Sequence, residues 1–154
     1  MQVQKVNVRN EMQRLEIMDY LSTRFDYDFY VTENNERMYI TEYSNLLKLF
    51  KNSDSIYIYE DGIDIRGLVL VWRSYGGGKK RRYVKIHAEN SNIATKLLTV
   101  LTWNSNTDLF VKIRKDSKYL QSFKSKGFRF VGGRGIQLLL KRKNYKTLEE
   151  REYE

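Results

Sequence analysis

The chain has 154 residues and a formal net charge of +9, from 28 Lys or Arg against 19 Asp or Glu. It contains no Cys, no Pro and one His, His87, which excludes disulfide bonds, thiolate chemistry and metal sites built from several Cys or His ligands, so no bound metal is expected. The hydrophobic content of 41% suits one globular domain, and neither a membrane-spanning stretch nor a signal peptide is recognisable, so we expect a cytoplasmic protein.

The first 54 residues predict a strand and two helices separated by a polar loop. Val6 and Val8 are two residues apart, as in a strand, and Asn10 followed by Gln13 resembles a helix cap. The first helix has apolar residues at three-residue spacing, at Met12, Leu15, Met18 and Leu21. The second helix follows a cap at Thr41, with an apolar stripe at Tyr43, Leu46, Leu47 and Phe50. Residues 26–40 between them are expected to form the loop.

The rest of the chain predicts a series of strands interrupted by two helices. Strands are expected at residues 55–59, 65–75, 81–88, 109–113, 128–131 and 136–140, with glycine turns at 76–78 and 132–135. One helix has a broad apolar stripe at Ile93, Ala94, Leu97, Leu98 and Leu101. A shorter helix begins at a Ser117 cap and ends at Gly127. Because strand, helix and strand follow one another over residues 81–113, we expect these two strands to be parallel.

The charge is distributed unevenly along these elements. Residues 1–65 carry a net −5, residues 66–146 carry +17, and residues 147–154 carry −3. Such an excess of cations in one segment should attract a partner that bears phosphates. The sequence therefore predicts an anionic ligand for the second half of the chain.

The order of elements resembles the GCN5-related N-acetyltransferase (GNAT) family over residues 56–143. The stretch IYIYEDGIDIRGLVLVW resembles the two strands that precede the cofactor site, and YVKIHAENSNIATKLLTVL resembles the strand, loop and helix that hold coenzyme A. VKIRKDSKYLQSFKSKGFRFV ends in the family's frequent Gly-Phe pair, here Gly127 and Phe128. The resemblance implies an α+β fold with a mixed, mostly antiparallel twisted sheet of about six or seven strands flanked by about four helices. We expect a single domain over residues 1–146 and an acidic tail over 147–154.

The resemblance also implies that acetyl-CoA binds where the strand over 81–88 meets the following helix. Amides at a helix start bind pyrophosphate, and the family's loop pattern of Arg or Gln, two residues, Gly, one residue, and Gly or Ala falls on Glu89, Asn92 and Ala94. Only Ala94 matches the pattern, and the alternative is that this loop merely caps a core helix. Strand amides near Ile86 and Ala88 would hold pantetheine and polarise the carbonyl. The implied cofactor contacts are Ile86, Ala88, Asn90, Ser91, Asn92, Ile93, Ala94, Thr95 and Phe123.

Two side chains are candidates for acid and base chemistry. In the resemblance, Phe123 occupies the position where the family often has a Tyr that acts as general acid. Tyr119 lies one helical turn earlier, so Tyr119 is either the general acid or an ordinary core residue. His87 ends the strand beside the predicted cleft and shares a face with Tyr83 and Lys85. It is either a base for an amine or a surface or hydrogen-bonded residue.

Two functions from different classes remain open at this point. One is transfer of an acetyl group from acetyl-CoA to an amine, with a neutral small amine or a nucleotide amine as the expected acceptor. The alternative is a catalytically degenerate GNAT-like module that binds nucleic acid or protein, with no membrane partner. Its contacts would be Lys79, Lys80, Arg81, Arg82, Lys141, Arg142 and Lys143. A hydrolase is a weaker interpretation, because a serine triad would have to be built around His87 alone.

Overall fold

The structure is a computed structural model that describes residues 2–24, 28–33, 36–40, 42–76 and 79–144. Its first half contains β1 (Gln2–Lys5), α1 (Glu11–Ser22), β2 (Tyr30–Glu33), β3 (Glu36–Tyr39), α2 (Tyr43–Lys51) and β4 (Ser53–Glu60). Its second half contains β5 (Ile65–Gly76), β6 (Lys79–Ala88), α3 (Ser91–Trp103), β7 (Leu109–Arg114), α4 (Leu120–Ser125), β8 (Arg129–Arg134) and β9 (Gln137–Arg142). The predicted acidic tail lies outside the described residues.

Seven of these strands form one sheet in the order β1-β4-β5-β6-β7-β9-β8. Neighbouring strands are antiparallel except β6 and β7, which are parallel because α3 carries the chain back across the sheet between them. The strands β2 and β3 pair with each other in a separate hairpin. The expected α+β fold, with a mostly antiparallel seven-stranded sheet and four helices, is confirmed for the described residues.

The sheet separates two hydrophobic cores. On β6, Val84, Ile86 and Ala88 face α3 and α4 and belong to the first core. Residues of α1, α2 and β5 form the second core on the opposite face, and Tyr83 packs against it. The alternation expected for β6 is therefore confirmed, since successive side chains of a strand point to opposite faces.

The helix α3 lies very close to β5 at Gly67. A Cβ atom at this position would be 2.8 Å from side-chain carbons of both Ile93 and Leu97, so the close packing of the helix requires glycine. This contact fixes the first turn of α3 against the sheet, next to the end of β6. The position of the candidate site therefore depends on a residue that carries no functional group.

The predicted face of α1 is confirmed at Met18 and Leu21, which pack against or within the second core, and is wrong in the first turns; the cap is also confirmed. The Gln13 amide donates to Asn10 Oδ1 at 3.1 Å, as predicted. The buried residues of α1 are Ile17, Tyr20 and Leu21, whereas Met12 and Leu15 are 68% and 48% exposed. The first turns of α1 extend past the second core, so only its last turns pack there.

The region before β4 also departs from expectation. The segment expected to be a polar loop contains the β2–β3 hairpin, whose Tyr30 is buried. In α2, Leu46 and Phe50 are buried as predicted, but Leu49 is buried in place of Leu47, which is exposed. The predicted cap Thr41 lies outside the described residues. No helix in the described part of the chain is both long and apolar enough to cross a membrane.

The C-terminal elements follow the prediction with two shifts. Gly127 has a φ of 89°, the left-handed conformation expected after α4. The helix itself begins at Leu120, and Ser117 Oγ accepts a hydrogen bond from the Tyr119 amide just before it. The turn predicted at 132–135 is shorter, because β8 continues to Arg134 and the chain reverses at Gly135, whose φ is 62°.

Candidate active site

The candidate site lies where β6 and β7 end beside the start of α3. These parallel strands are paired only at Tyr83 and Phe110 in the described residues. Beyond that pair, β6 continues for five residues to Ala88 and then leads through two residues into α3. A parallel pair with so short a ladder leaves strand edges that can accept a ligand.

The first turn of α3 presents backbone amides next to the end of β6. Asn90 caps the helix, because its Oδ1 accepts from the Ile93 amide at 2.9 Å and its carbonyl accepts from the Ala94 amide at 3.1 Å. The amides of Ser91 and Asn92 occupy the first helical positions, where a helix supplies no carbonyl for them. Both residues are exposed. An anion can therefore approach these two amides, and the helix dipole favours negative charge there.

The carboxylate of Glu89, at the start of the loop, is compensated by two arginines. Glu89 Oε1 lies 3.5 Å from Arg24 and 3.1 Å from Arg66, and Arg66 also binds Asp61 at 2.7 Å. Hydrogen bonds from the amides of residues 63 and 64 and from Arg66 hold the pKa of Asp61 well below its usual range. The hydrogen bonds to both carboxylates raise the pKa of Arg66. The four groups together are electrically balanced, so Glu89 does not make the loop acidic.

Tyr119 occupies the edge of β6 at Ala88. Its hydroxyl accepts from the Ala88 amide at 3.0 Å and donates to the Ala88 carbonyl at 2.9 Å. The side chain is 1% exposed, and Tyr119 directly precedes α4. The sequence left Tyr119 as either the general acid or an ordinary core residue. In the structure, its side chain belongs to the first core. A ligand can use the Ala88 amide only after this hydroxyl has been displaced.

The neighbouring residues of α4 are also engaged inside the protein. Phe123 is fully buried and contacts Phe128 edge to face, with ring centroids 5.0 Å apart. Thr95 Oγ1 donates to Ser122 Oγ at 2.9 Å, and Ser122 donates to the Ser91 carbonyl at 3.2 Å. These contacts link the start of α3 to α4. Phe123 has no exposed surface with which to touch a ligand, so its predicted cofactor contact is not supported by its position.

His87 is buried on the opposite face of β6. The Tyr20 hydroxyl lies 2.8 Å from His87 Nδ1, and Phe29 contacts the imidazole edge to face at a centroid distance of 6.5 Å. The Arg24 guanidinium stacks over the Tyr20 ring at 4.4 Å. The interpretation of His87 as a surface residue is therefore wrong. The structure contains a buried, hydrogen-bonded histidine beside the cleft.

Lys85 is a buried amine that the sequence interpretation missed. Its Nζ lies 4.2 Å from the centroid of the Tyr30 ring, and the residue is 8% exposed. Burial lowers the pKa of Lys85 to about 7, assisted by the positive charges of Lys112 and Arg37 and opposed by Asp28. The alternation along β6 placed Lys85 beside His87. It did not reveal the burial, because the β2–β3 hairpin that covers Lys85 was expected to be a loop.

A cavity of 310 Å³ lies between α1 and the turn that joins β4 to β5. Its lining residues are Glu16, Asp19, Tyr20, Arg24, Glu60, Ile63, Asp64 and Ile65. Four of them are carboxylates, and Tyr20 connects the cavity to His87 through the hydrogen bond described above. The local charge is therefore acidic, although the chain as a whole is basic.

The basic residues singled out in the sequence lie elsewhere. All of them except Arg142 line a separate cavity at the other end of β6 and β7. Arg142 instead donates from Nε to the Lys126 carbonyl at 2.9 Å. Among the described residues, no three His, Cys, Asp or Glu side chains form a group that could hold a metal ion.

Comparison with known proteins finds similarity at the level of structure. No protein-family model and no curated protein sequence matches the chain. An acetyltransferase of the GNAT family from Streptococcus pneumoniae superposes with a TM-score of 0.64 at 13% identity, covering 92% of this chain and 98% of the other. A ribosomal-protein-alanine N-acetyltransferase from Brucella melitensis gives 0.65 at 10% identity, covering 93% and 99%.

A third similar structure contains a ligand. The protein yncA from Salmonella typhimurium, solved with its cofactor acetyl-CoA, gives a TM-score of 0.64 at 11% identity and covers 92% of each chain. Identities this low establish the fold and not the activity. The element order, the single parallel pair and these superpositions together show that the chain has the GNAT fold.

Proposed function

We propose that this protein is an acyl-CoA-dependent N-acyltransferase that transfers an acetyl group to an amine. The observation that carries the proposal is the convergence of three features at the end of β6. These are the short parallel ladder with β7, the exposed first-turn amides of α3, and the histidine on the opposite face. The similar structures support it, since they include proteins named as acetyltransferases and one solved with acetyl-CoA.

Acetyl-CoA can reach the amides at the start of α3 without any rearrangement. It can reach the edge of β6 at Ala88 only after the Tyr119 hydroxyl has moved. The amides of Ser91 and Asn92 would hold the pyrophosphate, with Asn90, Ile93, Ala94 and Thr95 shaping the first turn. Hydrogen-bonding directions alternate along a strand, so the Ile86 amide points to the same side as that of Ala88. The Ala88 amide becomes available when the Tyr119 hydroxyl leaves it. When bound, this cofactor supplies the acetyl group as an activated thioester.

The acceptor amine is proposed to enter from the acidic cavity. Four carboxylates favour a protonated amine there, in contrast to the neutral acceptor expected from the overall charge. The amine must lose a proton before it can attack. Tyr20 lines the cavity, so its oxygen can take that proton while its own proton passes to Nδ1 of His87, 2.8 Å away.

Lys85 and Tyr119 complete the proposed site in supporting roles. Since burial lowers the pKa of Lys85 to about 7, its amine carries less charge at neutral pH than that of an ordinary lysine. Tyr119, once displaced from Ala88, is a phenol that can donate its proton to the leaving thiolate, which becomes the thiol of coenzyme A. While its hydroxyl stays bound to Ala88, Tyr119 acts as a gate for the cofactor.

The contact between Tyr119 and Ala88 also favours a second candidate function. If the hydroxyl never leaves Ala88, the cleft cannot accept pantetheine, and the protein is a catalytically silent GNAT-fold module. In that case binding of nucleic acid or protein through the basic second half would be its only role. The two candidates differ in whether acetyl-CoA binds at all.

A thermal unfolding experiment with acetyl-CoA tests the proposal. A ligand present at about 100 times its dissociation constant stabilises a protein by roughly 2.7 kcal/mol, which corresponds to a rise in Tm of about 5–10 °C for a chain of this size. We expect this rise, and release of coenzyme A when cationic primary amines are added. If millimolar acetyl-CoA leaves Tm unchanged in both the wild type and a Tyr119→Phe variant, the transferase proposal fails and the silent module remains.

A further inference from the structure

The strongest feature outside the candidate active site is a basic cavity at the opposite end of β6 and β7. Its volume is 710 Å³, and it lies where β6 and β7 begin and β9 ends. Its lining residues are Lys79, Lys80, Arg81, Arg82, Asn106, Thr107, Asp108, Phe110, Lys141, Lys143 and Asn144. The strands run away from this cavity toward α3, so a ligand in it would not compete with one at the candidate active site.

The positive charge of the cavity is largely uncompensated. Among the described residues that line the cavity, Asp108 is the only acidic one, and its carboxylate already lies 3.6 Å from Lys141 and accepts from the Asn144 amide at 2.8 Å. Arg82 is paired with Asp54 at 2.6 Å. The remaining cations, Lys79, Lys80, Arg81 and Lys143, have no ion pair among the described residues. Four cations that line one cavity without ion-pair partners favour a ligand with several phosphates.

An aromatic ring lies among these cations. Phe110 is half-buried, and its ring centroid is 4.9 Å from the Arg81 guanidinium carbon and 5.4 Å from Lys141 Nζ. Tyr83 lies beside it on the same face of the sheet, with ring centroids 5.9 Å apart, and Lys112 Nζ is 5.0 Å from the Tyr83 centroid. Neighbouring strands thus present alternating rings and cations. Free phosphate makes no stacking contact with these rings, whereas an unpaired base stacks on them.

We propose that this cavity binds a single-stranded nucleic acid, with its phosphates on Lys79, Lys80, Arg81 and Lys143 and a base on Phe110. The volume of 710 Å³ exceeds what one phosphate fills, and its open rim allows a chain to pass through. This site is separate from the cofactor cleft, so nucleic-acid binding does not require that the transferase chemistry has been lost. The proposal stands or falls independently of acetyl-CoA.

Fluorescence anisotropy with a labelled oligonucleotide of about 20 nucleotides tests this proposal on the full chain. Each phosphate contact on a single strand contributes about −0.7 to the slope of log affinity against log salt, so four contacts predict a loss of about 50-fold between 50 and 200 mM salt. A double variant, Lys79→Gln with Lys143→Gln, should halve that slope. The matched control, Lys115→Gln with Lys124→Gln, removes the same charge from exposed residues outside the cavity and should leave the slope unchanged.

A second variant separates stacking from charge. Phe110→Leu keeps the apolar volume and removes the ring, and we expect a loss of affinity of about fivefold or more for single strands. Circular dichroism confirms that each variant is folded. The proposal is overturned if Phe110→Leu binds as the wild type does, if a duplex of the same length binds more tightly, or if vesicles with roughly 30% anionic lipid bind better than the oligonucleotide. A salt slope that is identical in the cavity variant and its matched control would equally overturn it.

Discussion

Replacing Tyr119 by Phe removes the one hydroxyl that holds the edge of β6 at Ala88. Both hydrogen bonds of this hydroxyl, at 3.0 and 2.9 Å, are buried, and Ala88 is itself inaccessible to solvent. Leaving a buried backbone donor or acceptor without a partner costs about 1–3 kcal/mol. With two such groups affected, we expect Tyr119→Phe to lower the free energy of unfolding by about 2–6 kcal/mol, or Tm by roughly 4–24 °C.

The same substitution should strengthen the binding of acetyl-CoA. In the wild type the cofactor must break the contact between Tyr119 and Ala88, whereas in the variant the Ala88 amide is already available. Isothermal titration calorimetry should therefore show an affinity at least tenfold higher for Tyr119→Phe, a gain of about 1.4 kcal/mol. Tyr75→Phe, at a position that is 77% exposed, is the matched control and should change neither stability nor affinity.

Two outcomes would refute this reasoning about Tyr119. If the variant is as stable as the wild type, the hydrogen bonds to Ala88 do not contribute as the geometry implies. If it is destabilised but binds acetyl-CoA less tightly, Tyr119 assists the cofactor and is not a gate.

Three further substitutions test other parts of the account. His87→Gln should lower the rate of coenzyme A release by about 10²–10⁴-fold without weakening acetyl-CoA binding, and equal turnover in the variant would exclude His87 as the proton acceptor. Since the pKa of Lys85 is about 7 in the folded chain and near 10.5 in the unfolded chain, the unfolded state binds more protons between these values, so stability should rise with pH over that range. Lys85→Met should flatten this rise in urea unfolding and be more stable than the wild type at pH 6; an unchanged profile would contradict the burial of the amine. Gly67→Ala should cost about 1–3 kcal/mol because its Cβ meets α3, while Gly132→Ala, with nothing within 4 Å, should be nearly neutral, and equal urea midpoints would refute the close packing.

The second half of the fold could be predicted from the sequence because its periodicity is strong. Alternating residues in β4 and β6 and the broad stripe of α3 each allow one interpretation. In the first half of the chain, the periodicity of apolar residues is a weaker guide. Met12 and Leu15 belong to an apparent apolar stripe of α1, but the helix extends past the core at that end, so they are exposed. Periodicity reports which residues share a face, and it does not report how far the neighbouring layer extends.

The candidate site was predictable in its backbone and less so in its side chains. The Asn90 cap and the position of His87 follow from local sequence, because caps and strand alternation are local properties. The contact of Tyr119 with Ala88 joins residues 31 positions apart, and the burial of Lys85 depends on a hairpin that precedes it by about 50 residues. Such contacts follow from tertiary packing, which a single sequence does not display.

The charge of the chain has a different meaning once its location is known. The excess of cations in residues 66–146 predicted an anionic ligand for the whole segment. In the structure, Arg66 near the candidate active site is balanced by Asp61 and Glu89. The basic cavity at the far end of the sheet instead holds several cations that have no ion pair among the described residues. The net charge of the segment therefore does not by itself indicate a coenzyme A site.

The most direct test of the transferase proposal is an NMR titration of the isotopically labelled chain with acetyl-CoA. If acetyl-CoA binds between β6 and β7, the amide resonances of Ser91, Asn92 and Ala88 shift together and saturate with one affinity, while those of Phe110 and Lys141 at the basic cavity stay in place. Shifts confined to Phe110 and Lys141, or no shifts at the start of α3 with millimolar cofactor, would contradict the claim that this GNAT fold binds acetyl-CoA between β6 and β7.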